Sequence, residues 1–292
     1  MRTLVELLRG RQWVKNLFLV FPLIFSGRFM ELSLWAQVSM GVIAFCLISS
    51  GMYIINDIVD LKEDRLHPQK SQRPLAAGKM PVALAMFICG AVLILGLALS
   101  WRIGQDFLVF ALAYILLNIL YNMRTKHIVI VDVLMIAFGF QIRIFAGSAA
   151  THIVPSLWLL MCVFVLALFL GFTKRRYEIS TLKSDAVAHR GVLSEYTAYF
   201  LDQMIMISST LVIVFYGLYT ISAEVVARIG GYEMFYSTPF VIYGIFRYLY
   251  LIHVRKLGDD PGDILLSDIP LLIDIVLWLI FIVVIISLSR QG

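Results

Sequence analysis

Three aspartates stand at helical spacing where a long apolar stretch ends. Asn56 is followed by Asp57, Asp60 and Asp64, which spell NDxxDxxxD. At roughly 100° per residue, positions i, i+3 and i+7 of a helix fall within about 60° of one another, so the three carboxylates are predicted to share a face. Carboxylates that face one space repel one another unless a cation lies between them. The spacing therefore predicts a Mg2+ site shared with a phosphorylated substrate, with a solvated acidic helix end as the alternative.

Cations follow the aspartates in a segment whose proline and glycine residues predict a loop. Arg65, Lys70 and Arg73 lie in this stretch, RLHPQKSQRPLAAGK. A diphosphate needs a metal that bridges its oxygens and basic groups that take the remaining charge. The usual positive charge of a membrane-protein loop explains the cations alone but not their combination with the aspartates. We therefore expect a diphosphate site here.

Polar residues recur between the fourth and fifth apolar stretches and inside the fifth. This second cluster consists of Tyr121, Arg124, Lys126 and Asp132, and Arg143 lies well inside the apolar stretch that follows. An arginine facing lipid is costly, so Arg143 is expected to face the protein interior and to contact a carboxylate or a substrate phosphate. A purely structural ion pair is the alternative.

The longest polar stretch carries a third basic cluster. It contains Lys174, Arg175 and Arg190. Three clusters on one side of a membrane are expected to converge on one site. Interfacial anchoring is the alternative for a charge run that borders a membrane.

The composition predicts an all-α polytopic membrane protein. Of 292 residues, 61% are hydrophobic and 15% are charged, which is more apolar than a soluble core requires. We predict a single integral membrane domain over residues 1–292, built as a bundle of nine transmembrane helices in which Pro22 interrupts the first. The predicted spans are Val14–Phe29, Leu34–Val59, Pro81–Trp101, Phe107–Met123, Ile128–Ala150, Val154–Phe172, Leu201–Ser222, Tyr236–Val254 and Ile269–Leu288.

The distribution of Lys and Arg predicts the orientation. Basic residues concentrate at the N-terminus and in loops near 60–80, 124–132, 173–200 and 255–268, which are predicted to be cytoplasmic. The N-terminus and the active site are then expected on the cytoplasmic side of the cell (inner or plasma) membrane, among membrane lipids. The net charge of +5 reflects these loops, so nucleic-acid binding is not expected. The oligomeric state stays open.

Motifs of other enzyme classes do not support a different chemistry. No GxSxG, Walker A or dinucleotide-binding pattern occurs in a strand–turn–helix context. Cys46, Cys89 and Cys162 are isolated, without the spacing of a cysteine metal site. Hydrolase and NTPase functions are therefore disfavoured.

With NDIVDLKED on the second of nine apolar helices, the sequence resembles the UbiA-type intramembrane prenyltransferase superfamily. The resemblance implies a nine-helix bundle in which two Asp-rich helices hold Mg2+ and a diphosphate in a cavity that opens toward lipid. Aromatic prenyltransferases of the superfamily usually carry several aspartates in a second motif, whereas Asp132 is the one carboxylate here, after Tyr121 and Lys126. With this departure, the sequence resembles the branch of decaprenyl-phosphate phosphoribosyltransferases. The resemblance is carried by RQWVKN at 11–16, DRLHP at 64–68 with RPLAAGK at 73–79, GFQIR at 139–143 and KRR at 174–176.

This branch resemblance implies a Mg2+-dependent transfer of 5-phosphoribose from phosphoribosyl diphosphate to a polyprenyl phosphate, with release of diphosphate. The acceptor phosphate is already anionic near neutral pH, so no strong general base is required. The implied metal ligands are Asp57, Asp60 and Asp64, which form the catalytic set with Asn56. The implied substrate-binding residues are Arg65, Lys70, Arg73, Tyr121, Lys126, Asp132, Arg143, Lys174, Arg175 and Arg190, with Gln12, Lys15 and Asn16 at the lipid phosphate.

Two other functions remain open at this point. A prenyltransferase would place an isoprenoid diphosphate on the same metal and use an aromatic or lipid acceptor. A transporter would use the acids to bind coupling cations, although transporters often show repeats and broken helices near the midplane, whereas these acids lie at a helix end beside a basic loop.

Overall fold

The computed structural model describes residues 2–66, 70–182, 193, 195–255, 264, 265 and 267–289, and within these ranges every regular element is helical. Arg190 lies outside the described residues. The α-helices are α1 (Arg2–Leu7), α2 (Phe21–Phe25), α3 (Leu32–Val59), α4 (Leu61–Leu66), α5 (Val82–Ile103), α6 (Gln105–Met123), α7 (Val131–Thr151), α8 (Leu157–Leu182), α9 (Ala198–Thr220), α10 (Ala223–Ile229), α11 (Thr238–His253) and α12 (Ile269–Leu288).

Seven of these helices are long and apolar enough to cross a bilayer, namely α3, α5, α6, α7, α8, α9 and α12. Their outer faces expose large apolar side chains, such as Phe87 and Ile94 on α5, as expected for lipid contact. The predicted count of nine is not confirmed. Helix α11 has 16 residues, and the first predicted span is a 3₁₀ segment, Gly10–Val20, that leads into α2. Pro22 occupies the first turn of α2, where its missing N–H breaks no helical bond.

The helices pack around one cavity. Helix α3 packs on α5, α6 on α7, α7 on α8, α8 on α9, and α11 on α12, and the 3₁₀ segment contacts both α3 and α7. Gly147 allows the close approach to α7, because a Cβ at that position would stand 1.9 Å from the Leu19 carbonyl oxygen. A larger residue there would push the segment away from the bundle.

Polar bonds hold the 3₁₀ segment against α3. The indole nitrogen of Trp13 donates to Ser50 Oγ at 3.0 Å, and Asn16 Nδ2 donates to Ser49 Oγ at 3.2 Å. Runs of 3₁₀ helix this long are uncommon, and these tertiary bonds compensate for the poorer internal geometry. They fix the segment that carries Gln12, Lys15 and Asn16.

The acidic motif lies at a helix break, so its three aspartates do not belong to one continuous helix. Helix α3 ends at Val59, Asp60 follows it, and Asp64 belongs to the short helix α4. The backbone bonds from Asp60 to Asn56 and from Asp64 to Asp60 continue the helical spacing across the break. Asp60 also has different partners from Asp57 and Asp64: it pairs with Lys126, whereas the other two share Arg73.

Candidate active site

A cavity of about 1910 Å³ lies between the helices. Its wall is polar where α3, α6 and α8 end, on the side where α11 ends and α12 begins, and we call this the motif end. The polar lining there includes Arg9, Asn56, Asp60, Asp64, Lys70, Arg73, Asn122, Lys126, Lys174, Arg175 and Glu178. The remaining wall is mostly apolar and aromatic. Such a cavity suits an amphipathic ligand.

Asp57 and Asp64 are buried and converge on one cation. Arg73 Nη1 donates to Asp57 Oδ1 at 3.1 Å and to Asp64 Oδ2 at 2.6 Å. Arg9 pairs with Asp57 as well, and its guanidinium lies 4.9 Å from the ring centre of Tyr53. Burial raises the pKa of the Asp64 carboxyl, and the positive charge of Arg73 opposes that rise. Two carboxylates therefore face a position that a cation fills.

Asp60 has different partners. Its carboxylate pairs with the ammonium group of Lys126, which reaches it from the connection between α6 and α7. Asn56 Nδ2 donates to Asp60 Oδ2 at 3.0 Å and to Asn122 Oδ1 at 2.7 Å. These bonds join the acidic motif of α3 to the second polar cluster, as the sequence predicted.

The third basic cluster meets the first around Lys70. Burial lowers the pKa of Lys70, the charge of Glu178 opposes this shift, and the charges of Arg73 and Lys174 add to it. These side chains are therefore electrostatically coupled at the motif end. A concentration of cations beside carboxylates favours binding of a highly charged anion.

Arg175 is held in a buried network. Its side chain is 1% exposed, and it donates to Asp132 Oδ2 and to Glu178 Oε2, each at 2.6 Å, and to the Tyr121 hydroxyl at 3.1 Å. Tyr196 donates its hydroxyl hydrogen to Asp132 Oδ1 at 2.8 Å. Asp132 is fully buried, so it orients Arg175 and does not face the cavity.

Arg143 has only neutral partners among the described residues. Its Nε donates to Asn16 Oδ1 at 2.9 Å, Nη1 to the Gly139 carbonyl at 2.9 Å and Nη2 to the Tyr114 hydroxyl at 3.0 Å. The expected carboxylate contact is therefore absent from this part of the chain. The side chain points back toward the N-terminus of α7, as helical side chains do, and lines the cavity. A buried guanidinium whose described partners are all neutral has the chemistry to bind an anion.

The sequence matches a known family over most of its length. A family model described as the UbiA prenyltransferase family covers residues 19–261. The chain belongs to the UbiA prenyltransferase family. It is 32% identical to the decaprenyl-phosphate phosphoribosyltransferase of Mycolicibacterium smegmatis, across 94% of this chain and 90% of the relative. It is 31% identical to the protein of the same name from Corynebacterium glutamicum, across 96% and 85%.

The fold agrees with this assignment. The solved structure of a UbiA homologue from Archaeoglobus fulgidus bound to GPP and Mg2+ superposes with a TM-score of 0.72 at 21% identity, over 98% of this chain and 99% of that chain. At this identity the similarity concerns the fold. The UbiA arrangement of helices around a cavity is thus shared.

Several residues nominated from sequence lie away from the cavity. Arg65 is exposed and does not line it. Asn16 and Asp132 are buried behind Arg143 and Arg175, so they position those arginines instead of touching a ligand. Asp57 does not line the cavity and pairs with Arg9 and Arg73. The other described residues nominated from the sequence do line it, namely Gln12, Lys15, Asn56, Asp60, Asp64, Lys70, Arg73, Tyr121, Lys126, Arg143, Lys174 and Arg175.

Four further residues that line the cavity are not among those nominated from the sequence. Arg9 pairs with Asp57, and Glu178 pairs with Arg175. Asn122 and Tyr114 lie on α6, where an amide and a hydroxyl in an apolar stretch were the available signal. Intramembrane polar groups of this kind need partners, which is the physical reason to nominate them.

The donor set fits Mg2+ at Asp57 and Asp64. Mg2+ is commonly held by one or two carboxylates, with substrate phosphates and water completing its shell. Among the described residues no group of three or more acidic, His or Cys side chains is arranged around one point, and Asp60 pairs with Lys126. The oxygens that meet at Arg73 Nη1 are hard ligands of the kind Mg2+ prefers.

Proposed function

We propose that this chain transfers 5-phosphoribose from phosphoribosyl diphosphate to a polyprenyl phosphate and releases diphosphate in a Mg2+-dependent reaction. The identity to relatives named decaprenyl-phosphate phosphoribosyltransferase supports it. The observation that carries it is the presence of two anion-binding groups made of different residues in one cavity. A prenyl diphosphate and an uncharged acceptor would need only one. A donor diphosphate and an acceptor phosphate need both.

The cluster at the motif end is the proposed donor subsite. Mg2+ held by Asp57 and Asp64 would neutralise negative charge on the departing diphosphate. Arg9 and Arg73 now pair with these carboxylates, so they are within reach of the phosphate oxygens that would accompany the metal. Lys70 and Lys174 supply further donors, and the buried network of Asp132 fixes Arg175 beside them.

Arg143 is the centre of the proposed acceptor subsite. Its guanidinium lies at the level of Gly139, about 12 Å along α7 from Val131 at 1.5 Å per residue. On the 3₁₀ segment, Asn16 lies about 14 Å beyond Arg9 at roughly 2.0 Å per residue. Both estimates place this group deeper than the donor cluster. A lipid phosphate bound there would leave its isoprenoid chain against the apolar wall.

The proposed reaction needs positioning more than proton transfer. A phosphate oxygen of the lipid forms a bond to C1 of the ribose, and the bond from C1 to the diphosphate oxygen breaks with its electrons leaving on diphosphate. The attacking oxygen is already anionic near neutral pH, so no residue has to remove a proton. The arginines and lysines hold both anions in place against their mutual repulsion.

We also propose that the motif end faces the cytoplasm. The basic residues of the described chain concentrate at that end, as cytoplasmic loops of membrane proteins do. A soluble, highly charged donor would enter there, while the lipid acceptor would reach the cavity from the bilayer. Accessibility of a cysteine placed at exposed Lys79 in inside-out vesicles, and its protection in intact cells, would support this orientation.

Two substrate mixtures test the reaction. Purified protein with Mg2+ receives either labelled phosphoribosyl diphosphate and polyprenyl phosphate, or a prenyl diphosphate and a phenolic acceptor. We expect lipid-linked phosphoribose from the first mixture alone, identified by mass spectrometry of the lipid extract. Product from the second mixture alone would overturn the proposal in favour of prenyl transfer. Metal-dependent uptake into vesicles without covalent product would instead favour a transporter.

A further inference from the structure

Asp274 is a buried acid on the transmembrane helix α12, and its carboxyl group lines the cavity. Its exposed fraction is 9%. Within the described part of the chain, no hydrogen bond or ion pair reaches this carboxyl group. An ionisable side chain inside a membrane segment is costly unless it has a partner or a function. The unused hydrogen-bonding capacity of Asp274 is therefore directed at the cavity.

The surroundings of Asp274 are apolar and closely packed. A methyl group added at Gly244 of α11 would come within 3.1 Å of Asp274 Oδ2 and 3.9 Å of a Leu271 methyl carbon. The glycine thus leaves the room that the carboxyl group occupies. Ile275, also in the cavity wall, offers no hydrogen bond from its side chain. With no partner among the described residues, the carboxyl group is available to a ligand in the cavity.

We propose that Asp274 binds a ribose hydroxyl group of the donor and so contributes to selecting the sugar, an inference that rests on the proposed function. The phosphates of both substrates are anionic acceptors, which an ionised carboxylate repels. The isoprenoid chain has no polar group. The hydroxyl groups at C2 and C3 of the ribose are the hydrogen-bond donors left, and a carboxylate accepts from a hydroxyl with a strong, charge-assisted bond.

The position along the membrane agrees with this role. Asp274 lies about 8 Å from the start of α12 at 1.5 Å per residue, and α12 begins at the motif end, where Asp268 pairs with Arg247 at 2.8 Å. Arg143 acts at a depth of about 12 Å by the same measure. The carboxyl group therefore lies between the levels of the two phosphate subsites, where the ribose would have to be.

A substrate–variant cycle tests the inference. The unmodified protein, Asp274→Asn and Asp274→Leu are each assayed with phosphoribosyl diphosphate and with its 2-deoxy and 3-deoxy analogues. Ratios of kcat/KM between proteins are compared for each donor, which cancels the different intrinsic reactivity of the analogues. Glu224→Gln is the matched control, because Glu224 is a half-exposed acid paired with Arg228 and does not line the cavity.

We expect Asp274→Leu to lower kcat/KM for the ribose donor about 10- to 100-fold, mainly through KM, and to lower it at most about 3-fold for one of the two deoxy donors. Asp274→Asn keeps an acceptor oxygen and should lose about 3- to 10-fold. Glu224→Gln should match the unmodified protein. Gly244→Ala crowds the carboxylate without removing it. This variant should show the same pattern as Asp274→Leu, with a larger loss of kcat/KM for the ribose donor than for that deoxy donor.

Equal losses on all three donors would overturn the inference, because a structural defect does not distinguish hydroxyl groups. Unchanged kinetics in Asp274→Leu would overturn it as well. The product of the unmodified protein distinguishes failure of the proposed function from failure of this inference. If that protein makes no lipid-linked phosphoribose but forms a prenylated product, both proposals are wrong. Thermal unfolding of each purified variant with and without phosphoribosyl diphosphate supplies a second readout, in which the ligand-induced shift should shrink in Asp274→Leu.

Discussion

Replacement of Arg143 tests the acceptor subsite most directly. In Arg143→Met three hydrogen bonds to neutral acceptors are lost, but the variant also removes a buried charge that has no counter-charge among the described residues. These effects oppose each other, so we expect a small change in unfolding temperature. A charge-assisted hydrogen bond to a ligand contributes about 1.5–3 kcal/mol, which corresponds to roughly 10- to 150-fold in affinity. The KM of the polyprenyl phosphate should rise by this factor.

The KM of phosphoribosyl diphosphate should change little in the same variant. Arg143→Lys keeps the charge but loses the planar fork that serves Asn16, Gly139 and Tyr114 together, so an intermediate loss of about tenfold is expected. Arg28→Met is the control, because Arg28 is half-exposed and paired with Glu31 away from the cavity. Steady-state kinetics in mixed micelles, with each substrate varied in turn, provides the measurement. A rise confined to the donor KM would refute the assignment of Arg143 to the acceptor.

Three further results follow from the contacts of the site. In Asp64→Asn the Mg2+ concentration for half-maximal activity should rise about tenfold or more. In Asp60→Asn activity should fall, but this Mg2+ concentration should rise less. Equal rises in a Mg2+ titration of the two variants would show that both residues hold the ion. Arg175→Met should destabilise the protein by about 3–5 kcal/mol in thermal or denaturant unfolding, because Asp132 stays buried without its cation. Adding Asp132→Asn to this variant should restore part of the lost stability. Additive losses in the double variant would contradict the pairing. Gly147→Ala should destabilise by about 1–3 kcal/mol in the same assay, because its methyl group meets the backbone at Leu19.

Local features of the sequence predicted much of the fold. Apolar runs gave α3, α5, α6, α7, α8, α9 and α12, because each must satisfy its backbone within its own helix in a bilayer. Pro22 predicted the interruption of the first span. The 3₁₀ form of Gly10–Val20 could not be predicted, since it depends on side-chain bonds to Ser49 and Ser50 of α3.

The site was predicted in its residue types better than in its pairings. Helical spacing grouped Asp57 with Asp64, which share Arg73, but it could not show that Asp60 pairs with Lys126, which is 66 residues away. Asn16 and Arg143 are separated by 127 residues, so no local pattern could join them. A single sequence shows which polar groups need partners in a membrane, whereas the packing decides which partners they receive.

The acidic and basic side chains of the motif end form ion pairs whose partners could be exchanged when charged ligands bind. Asp57 and Asp64 share Arg73, Arg9 adds to Asp57, and Lys126 neutralises Asp60. If Asp57 and Asp64 held Mg2+ together with a diphosphate, the Arg73 guanidinium would be released from these carboxylates to the phosphate oxygens and would keep a counter-charge. Neither charge is then left buried and unpaired, which is the costly state in a low-dielectric site. A metal without diphosphate would leave the Arg73 guanidinium without a counter-charge. A diphosphate without metal would be repelled by the carboxylates of Asp57 and Asp64. We infer that binding of the metal favours binding of the diphosphate, and that binding of the diphosphate favours binding of the metal.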